Sequence, residues 1–293
     1  MTKPFLTVFT PAYNRAYTLP RTYEGMKQQR NTDFIWLIVD DGSSDNTAEL
    51  VRQWQAEEND FEIRYIYKEN GGMHTAHNTA YGLIDTELNT CIDSDDALAP
   101  DAVQTIYDAW QKVRDKGYAG LLGLDAEFNG KLIGKGFPAE LASTTLGNYY
   151  RNGGVGDKKL ILRTDVVHRY PPYPVYEGER FVPLGSLYTM IDRDYELAVL
   201  DAVVCLVEYM PDGSTHNMTR QYYRNPNGFR YSRLVSLTAP QSLKRKLTIY
   251  VHYAAESILA GRPILRDAPN KLLGLLSIPF GWFLSTRIRA CCK

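Results

Sequence analysis

Apolar, β-branched runs recur along the first hundred residues. FLTVFT at 5–10 and FIWLIVD at 34–40 are followed by FEIRYIY at 61–67, which alternates with period two, and by LNTCID at 88–93. The intervening segments at 19–29, 47–57 and 73–83 have helical character. Strand, helix, strand at this interval predicts βαβ units and an α/β fold with a mainly parallel, Rossmann-like central sheet flanked by helices. Sheets of this kind take ligands beyond the carboxyl ends of their strands. The polar clusters stand at those ends: Thr10-Pro11-Ala12-Tyr13-Asn14, Asp40-Asp41-Gly42-Ser43, Lys68-Glu69-Asn70-Gly71-Gly72 and Asp93-Ser94-Asp95-Asp96.

From residue 101 the rhythm changes. A helix is predicted over 101–116, strands over 119–124, 157–163 and 197–209, and a hairpin at 127–133 around Asn129-Gly130. Tyr170-Pro171-Pro172-Tyr173-Pro174 marks a rigid loop, and 219–293 reads as helical with no further strand.

Composition narrows the picture. The chain has 293 residues, 44% of them hydrophobic and 23% charged, which is the make-up of a folded protein. Thirty-three Lys and Arg against 34 Asp and Glu leave a net charge of −1, so nothing in the balance favours a polynucleotide partner. Cys91, Cys205, Cys291 and Cys292 form neither a CxxC pair nor a disulfide framework, a usage that fits a reducing compartment. The N-terminal MTKPFLTVFTPAYNR has no charged segment followed by an apolar core, so no signal peptide is expected. No stretch reaches the roughly 18 apolar residues of a membrane span.

Three carboxylates within four residues at Asp93-Ser94-Asp95-Asp96 repel one another unless a cation lies between them. Oxygen ligands of this kind suit Mg²⁺ or Mn²⁺, with diphosphate oxygens completing the shell. The alternative is a turn that caps the helix starting near Pro100. Around Asp45-Asn46-Thr47, Asn46 and Glu49 have capping-box spacing. That leaves Asp40 and Asp41 unexplained by capping, as carboxylates that could accept hydrogen bonds from a nucleobase or ribose. His74 and His77 are three apart, without the third ligand that zinc needs. Residues 130–136 approximate a phosphate loop but lack the Ser or Thr after lysine. No GxSxG is present.

In their order and spacing these motifs resemble the inverting nucleotide-sugar glycosyltransferases of family 2, which have the GT-A fold. The resemblance rests on Thr10-Pro11-Ala12-Tyr13-Asn14-Arg15, Val39 through Thr47, Asn70-Gly71-Gly72 and Asp93-Ser94-Asp95-Asp96. It implies transfer of a sugar from a nucleoside diphosphate donor, with UDP-sugar expected, by a single displacement assisted by Mn²⁺ or Mg²⁺. Thr10, Tyr13 and Asp41 would then hold the base, with Pro11, Asn14 and the Asn70-Gly71-Gly72 loop beside them. Asp93 would contact ribose or donor sugar next to Ser94, Asp95 would coordinate the metal with Asp93 and His216 as further ligands, and Asp96 would lie near the sugar. An inverting transfer needs a general base. The Glu-Asp pair usual in the family is replaced here by Tyr176-Glu177-Gly178-Glu179-Arg180-Phe181, which makes Glu179 the candidate and Glu177 the reserve. His216 and Arg220 would approach the diphosphate, although a plain turn also explains Pro211 to Gly213. Residues 1–110 become the nucleotide-sugar half, 111–218 the acceptor half and 219–293 a helical extension. A binding subunit without turnover and a metal-dependent nucleotidyltransferase are the alternatives.

The acceptor implied is a glycan or a lipid-linked saccharide of the cell envelope. Nine large apolar residues crowd into 272–284, flanked by Lys271 and by Arg287, Arg289 and Lys293. Pro279 and Gly281 are expected to bend or break a helix there. Two readings stand: a segment packed against the sheet, or an in-plane anchor through 271–293 on the cytoplasmic face of a membrane.

Overall fold

The run FIWLIVD forms strand β2 (Phe34–Asp40), and all seven of its side chains are buried. A strand apolar on both faces belongs inside a parallel sheet covered on both sides. Accordingly, β2 lies between β1 (Leu6–Ala12) and β3 (Glu62–Tyr67), parallel to each, and β4 (Leu88–Cys91) runs parallel to β1 on its other side. Helices α1 (Leu19–Lys27), α2 (Thr47–Ala56) and α3 (Met73–Leu83) make the crossovers. The computed structural model describes residues 3–208 and 218–292.

The period-two alternation of each strand divides the core. Leu6, Val8, Trp36 and Ile38 face α1, α2 and α4 (Ala102–Gln111), where they meet Tyr23, Val51, Trp54 and Ile106. Phe9, Leu37 and Val39 point the other way, onto Ala76 and Ala80 of α3. Tyr23 stacks on Trp54 at 4.4 Å and on Trp36 at 5.8 Å, one aromatic layer joining α1, α2 and β2.

Among the described residues nine strands form the sheet, in the order β3-β2-β1-β4-β8-β6-β9-β5 with β7 beside β9. The later members are β5 (Ala97–Leu98), β6 (Gly120–Glu127), β7 (Ser143–Thr144), β8 (Lys158–Arg163) and β9 (Leu197–Val207). Parallel pairing holds from β3 to β4. Beyond β4 the sheet is mixed, because β8 runs antiparallel to both β4 and β6, while β6 and β9 are parallel. Short helices α5 (Leu146–Arg151) and α6 (Thr164–Val167) precede and follow β8. The helix expected over 101–116 ends at Gln111, and a 3₁₀ turn at Arg114–Lys116 completes it.

The chain divides into two compact units. The first holds residues up to 71, 75–171 and 194–208. The second holds 72–74, 172–193 and 218–292, so the loop expected to serve the acceptor half clusters with the C-terminal helices. These helices are α7 (Gly185–Asp194), α8 (Met218–Arg224), α9 (Pro226–Ser236), α10 (Leu243–Leu259), α11 (Ile264–Asp267) and α12 (Lys271–Cys292).

Pro279 and Gly281 do not break the last helix, contrary to expectation: α12 is continuous through both. Its buried stripe is made of small residues, Gly274, Ser277, Gly281 and Ser285, with Ile288. A Cβ on Gly281 would stand 2.5 Å from the Ala254 Cβ, so the missing side chain is what lets α12 approach α10. Six of the nine large apolar residues of the segment are exposed, and Leu273, Ile278 and Leu284 are half-buried. Among the described residues, no helix is long and apolar enough to cross a membrane.

Candidate active site

The loops after β1, β2, β3 and β4 leave the first unit on one edge, because register aligns Ala12 with Asp40 and Asp40 with Tyr67. Side-chain hydrogen bonds fasten them together. Asn14 takes a left-handed conformation (φ 53°) that few residues other than Asn tolerate. Its Oδ1 accepts from the amides of Ser44 at 2.8 Å and Asp45 at 3.3 Å, and its own amide donates to Ser43 Oγ at 2.8 Å. Asp45 accepts from the Ala16 amide and from the Thr47 amide and hydroxyl, so Asp45 caps α2 in place of the expected Asn46. Asn14 and Asp45 thus lock the first loop to the second.

Asp40 and Asp41 diverge. The buried Asp40 accepts from the Ser43 amide at 2.7 Å and the Tyr65 hydroxyl at 2.6 Å, which closes the turn and leaves it a structural role. Asp41 faces the third loop: its Oδ1 accepts from Lys68 Nζ at 2.5 Å and the Gly71 amide at 3.0 Å, and Asn70 Nδ2 donates to its carbonyl at 2.8 Å. Gly42, at φ +84°, passes so near that an added Cβ would lie 2.7 Å from the Asn70 amide nitrogen. Thr10 is fully buried and its hydroxyl accepts from the Trp36 indole at 3.0 Å, so its side chain is turned away from the edge. Pro11 continues β1 past Phe9, the last residue paired with β4. Tyr13 is 47% exposed beside this loop.

The acidic motif is a turn followed by β5, so none of its carboxylates caps α4; the residue at that cap is Asp101. Its exposure alternates. Asp93 and Asp95 are half-buried, while Ser94 and Asp96 are buried. Asp96, expected near the donor sugar, turns inward and accepts from the Glu208 amide at 3.4 Å. Burial pushes its carboxyl up to about 8; Lys159 opposes this, and the neighbouring Asp93 and Asp95 reinforce it.

Three further groups went unmarked in the sequence. Lys159, on β8, donates to the Cys91 carbonyl at 3.3 Å. Burial alone would weaken its ammonium, but Cys205 and the carboxylates of Asp125, Asp96 and Asp93 outweigh that and raise its pKa well above the ordinary value. The one available signal was a lysine inside a predicted strand. Arg21 of α1 donates to the Asp95 carbonyl at 3.2 Å and pairs with Glu208. Lys68 was visible only as part of a polar loop.

In the second unit, Glu179 accepts from the Asn227 amide at 2.9 Å, from Asn227 Nδ2 at 2.7 Å and from the Gly228 amide at 2.9 Å. It therefore holds the first turn of α9, with both oxygens engaged. Glu177 is exposed. Gly72, also in this unit, has φ +93° and no room for a Cβ against the Arg180 carbonyl. His216 lies outside the described residues. Among those described, no three His, Cys, Asp or Glu side chains converge as a metal cage.

Residues 7–124 match the profile of glycosyl transferase family 2. Over this segment, about two fifths of its length, the chain is similar to that family. The family segment contains all four loops. A chondroitin synthase of Escherichia coli is 32% identical over 134 residues, which is 46% of this chain and 19% of that protein. The chain spans between 14% and 38% of the length of the curated relatives it matches. Two solved structures share the fold. S. aureus TarS 1-349 in complex with UDP-GlcNAc superimposes with a TM-score of 0.61 at 15% identity, covering 97% of this chain and 83% of that one. The mannosyltransferase PcManGT from Pyrobaculum calidifontis, in complex with GDP-Man and Mn²⁺, gives 0.54 at 16% identity, covering 99% and 76%. The architecture is GT-A: a central sheet flanked by helices, with a helical C-terminal region.

Proposed function

We propose that this chain is an inverting, divalent-metal-dependent glycosyltransferase of the hexosyl type. It would move a sugar from a nucleoside diphosphate donor, a UDP-sugar first of all, to a glycan or lipid-linked acceptor in cell-surface polysaccharide synthesis. The observation that carries the reading is the acidic turn at the end of β4, inside the segment that matches the family 2 profile. The names of the relatives support it, as does the nucleotide sugar in each of the two structures sharing the fold.

In the displacement, an acceptor oxygen bonds the anomeric carbon as the bond to the diphosphate oxygen breaks. The acceptor loses a proton and the diphosphate gains negative charge. Tyr13 offers a ring face to the base and Asp41 a carboxylate, while Asn14, Asn70 and Gly71 hold that loop pair in shape. Asp93 and Asp95 fit Mn²⁺ or Mg²⁺ by donor chemistry, as two half-buried hard-oxygen ligands in a turn whose carboxylates crowd one another. Such a cation, when bound, supplies positive charge against the departing diphosphate. For the base, Glu177 has an exposed carboxylate, whereas Glu179 is committed to α9.

We place the transfer in the cytoplasm, at the membrane face where a lipid-linked acceptor is reached; the four free cysteines agree with that compartment. A panel of nucleotide sugars with and without Mn²⁺ tests the reading. Slow, metal-dependent release of nucleoside diphosphate from one donor is expected, and its loss in Asp95→Asn with the melting temperature unchanged. A donor that raises the melting temperature of the wild type without ever being turned over would make this a binding subunit.

A further inference from the structure

Six large apolar side chains of α12, Leu272, Leu275, Leu276, Phe280, Trp282 and Phe283, are 53–64% exposed. At 100° per residue they share the side of the helix opposite its buried stripe of small residues. A soluble monomer seldom leaves so much contiguous apolar surface in water. The two ends of this face carry exposed cations, Lys271 before it and Arg287 and Arg289 after it, and Arg287 sits 5.6 Å over the Phe283 ring. From Ala268 onward the sequence contains neither Asp nor Glu.

We infer that the outer face of α12 docks on an anionic bilayer, with the helix lying in the plane of the membrane. The small inner residues fix which face is left over, because the bare Gly281 is what admits Ala254 of α10. Phe, Trp and Leu then enter the boundary between headgroups and acyl chains, while the flanking cations meet lipid phosphates. Charge argues for lipid over a second copy of the chain. A two-fold contact would oppose this face to itself, and no carboxylate on α12 is available to answer its cations. The inference deepens the proposed membrane placement and stands independently of sugar transfer.

Tryptophan emission reports on the face directly, since Trp36, Trp54 and Trp110 are at most 6% exposed and Trp282 is 60% exposed. Vesicles of phosphatidylcholine with phosphatidylglycerol should shift the emission to the blue and float the full chain. Pure phosphatidylcholine should float several-fold less. Phe280→Ser/Phe283→Ser should keep the wild-type circular dichroism and melting temperature yet lose flotation by about tenfold or more. Arg287→Gln/Arg289→Gln should lose mainly the preference for the anionic lipid. Full chain remaining at the bottom of the gradient with both vesicle types overturns the inference. A two-chain mass by light scattering, reverting to one chain in the Phe280 and Phe283 variant, also overturns it, by giving the face to a second copy. Donor hydrolysis measured on the same preparation keeps failure here separate from failure of the transferase reading.

Discussion

Glu179 has both oxygens engaged by Asn227 and Gly228, where α9 presents amides that its own turns cannot satisfy. Glu179→Gln replaces one acceptor oxygen with an amide NH₂ group, a donor facing those donors. It should lower stability by about 1–2 kcal/mol in thermal melts, within the range of a lost cap or hydrogen bond. Turnover per folded molecule should change little. Glu177→Gln should do the reverse, reducing kcat by about 10²- to 10⁴-fold at unchanged donor KM, the usual worth of a general base. If Glu179→Gln carries the kcat loss, the assignments exchange. Nothing local in the sequence marked Glu179 as a cap, because its partner lies 48 residues away. Asn14 and Asp41, by contrast, were legible as residues of the loops at the strand ends. Each follows an apolar run and so had to surface where the strand ends, although the sequence did not reveal that Asn14 is a latch.

At the scale of elements, the contact between α10 and α12 rests on absent side chains. Gly281→Leu would force a branched side chain against Ala254, whose Cβ is already 2.5 Å from the position of an added Cβ. Overpacking of this kind destabilises by about 1–3 kcal/mol, read as a lower melting temperature, whereas Leu276→Ser on the outer face should leave the melt near wild type. The four strands β1–β4 were readable because each joins an apolar run to a polar loop, a contrast set by burial alone. α12 was misjudged for a physical reason. Proline and glycine are helix breakers in general, yet Pro279 is exposed on the outer face and Gly281 lies in the helix contact. The spacing of Gly274, Ser277, Gly281 and Ser285 by three and four carried that information. The sheet beyond β4 was least legible, since whether β8 lies parallel or antiparallel depends on partners distant in sequence.

For the molecule as a whole, stability should depend on a buried and a half-buried group of the second unit, Glu256 and His252. Burial raises the Glu256 carboxyl to about 7 against the pull of Arg233, 3.1 Å away. Folding then favours the protonated form, and the stability this contributes is present below about pH 4.5 and lost as pH rises through 7. Burial lowers His252 to about 4, with Arg233 and Arg245 adding to the shift, so its contribution is present above pH 6.5 and lost as pH falls through 4. Between pH 4.5 and 6.5 the two contributions oppose each other, so the wild-type melting temperature should change little across that window. Between pH 4.5 and 7 the stability of Glu256→Gln should rise relative to wild type by up to about 3 kcal/mol; parallel pH profiles in the two proteins would overturn this role for Glu256. The order of strands has a consequence for synthesis on the ribosome. β3, β2, β1 and β4 are complete once residue 91 has emerged, but β8, which covers the free side of β4, begins only at Lys158. For some 70 residues of translation, a time of several seconds at about 5–20 residues per second, the nascent chain presents an uncovered strand to its neighbours. β4 is four residues long. A strand so brief offers little template for pairing between chains on the same messenger, which would make its shortness a safeguard during translation.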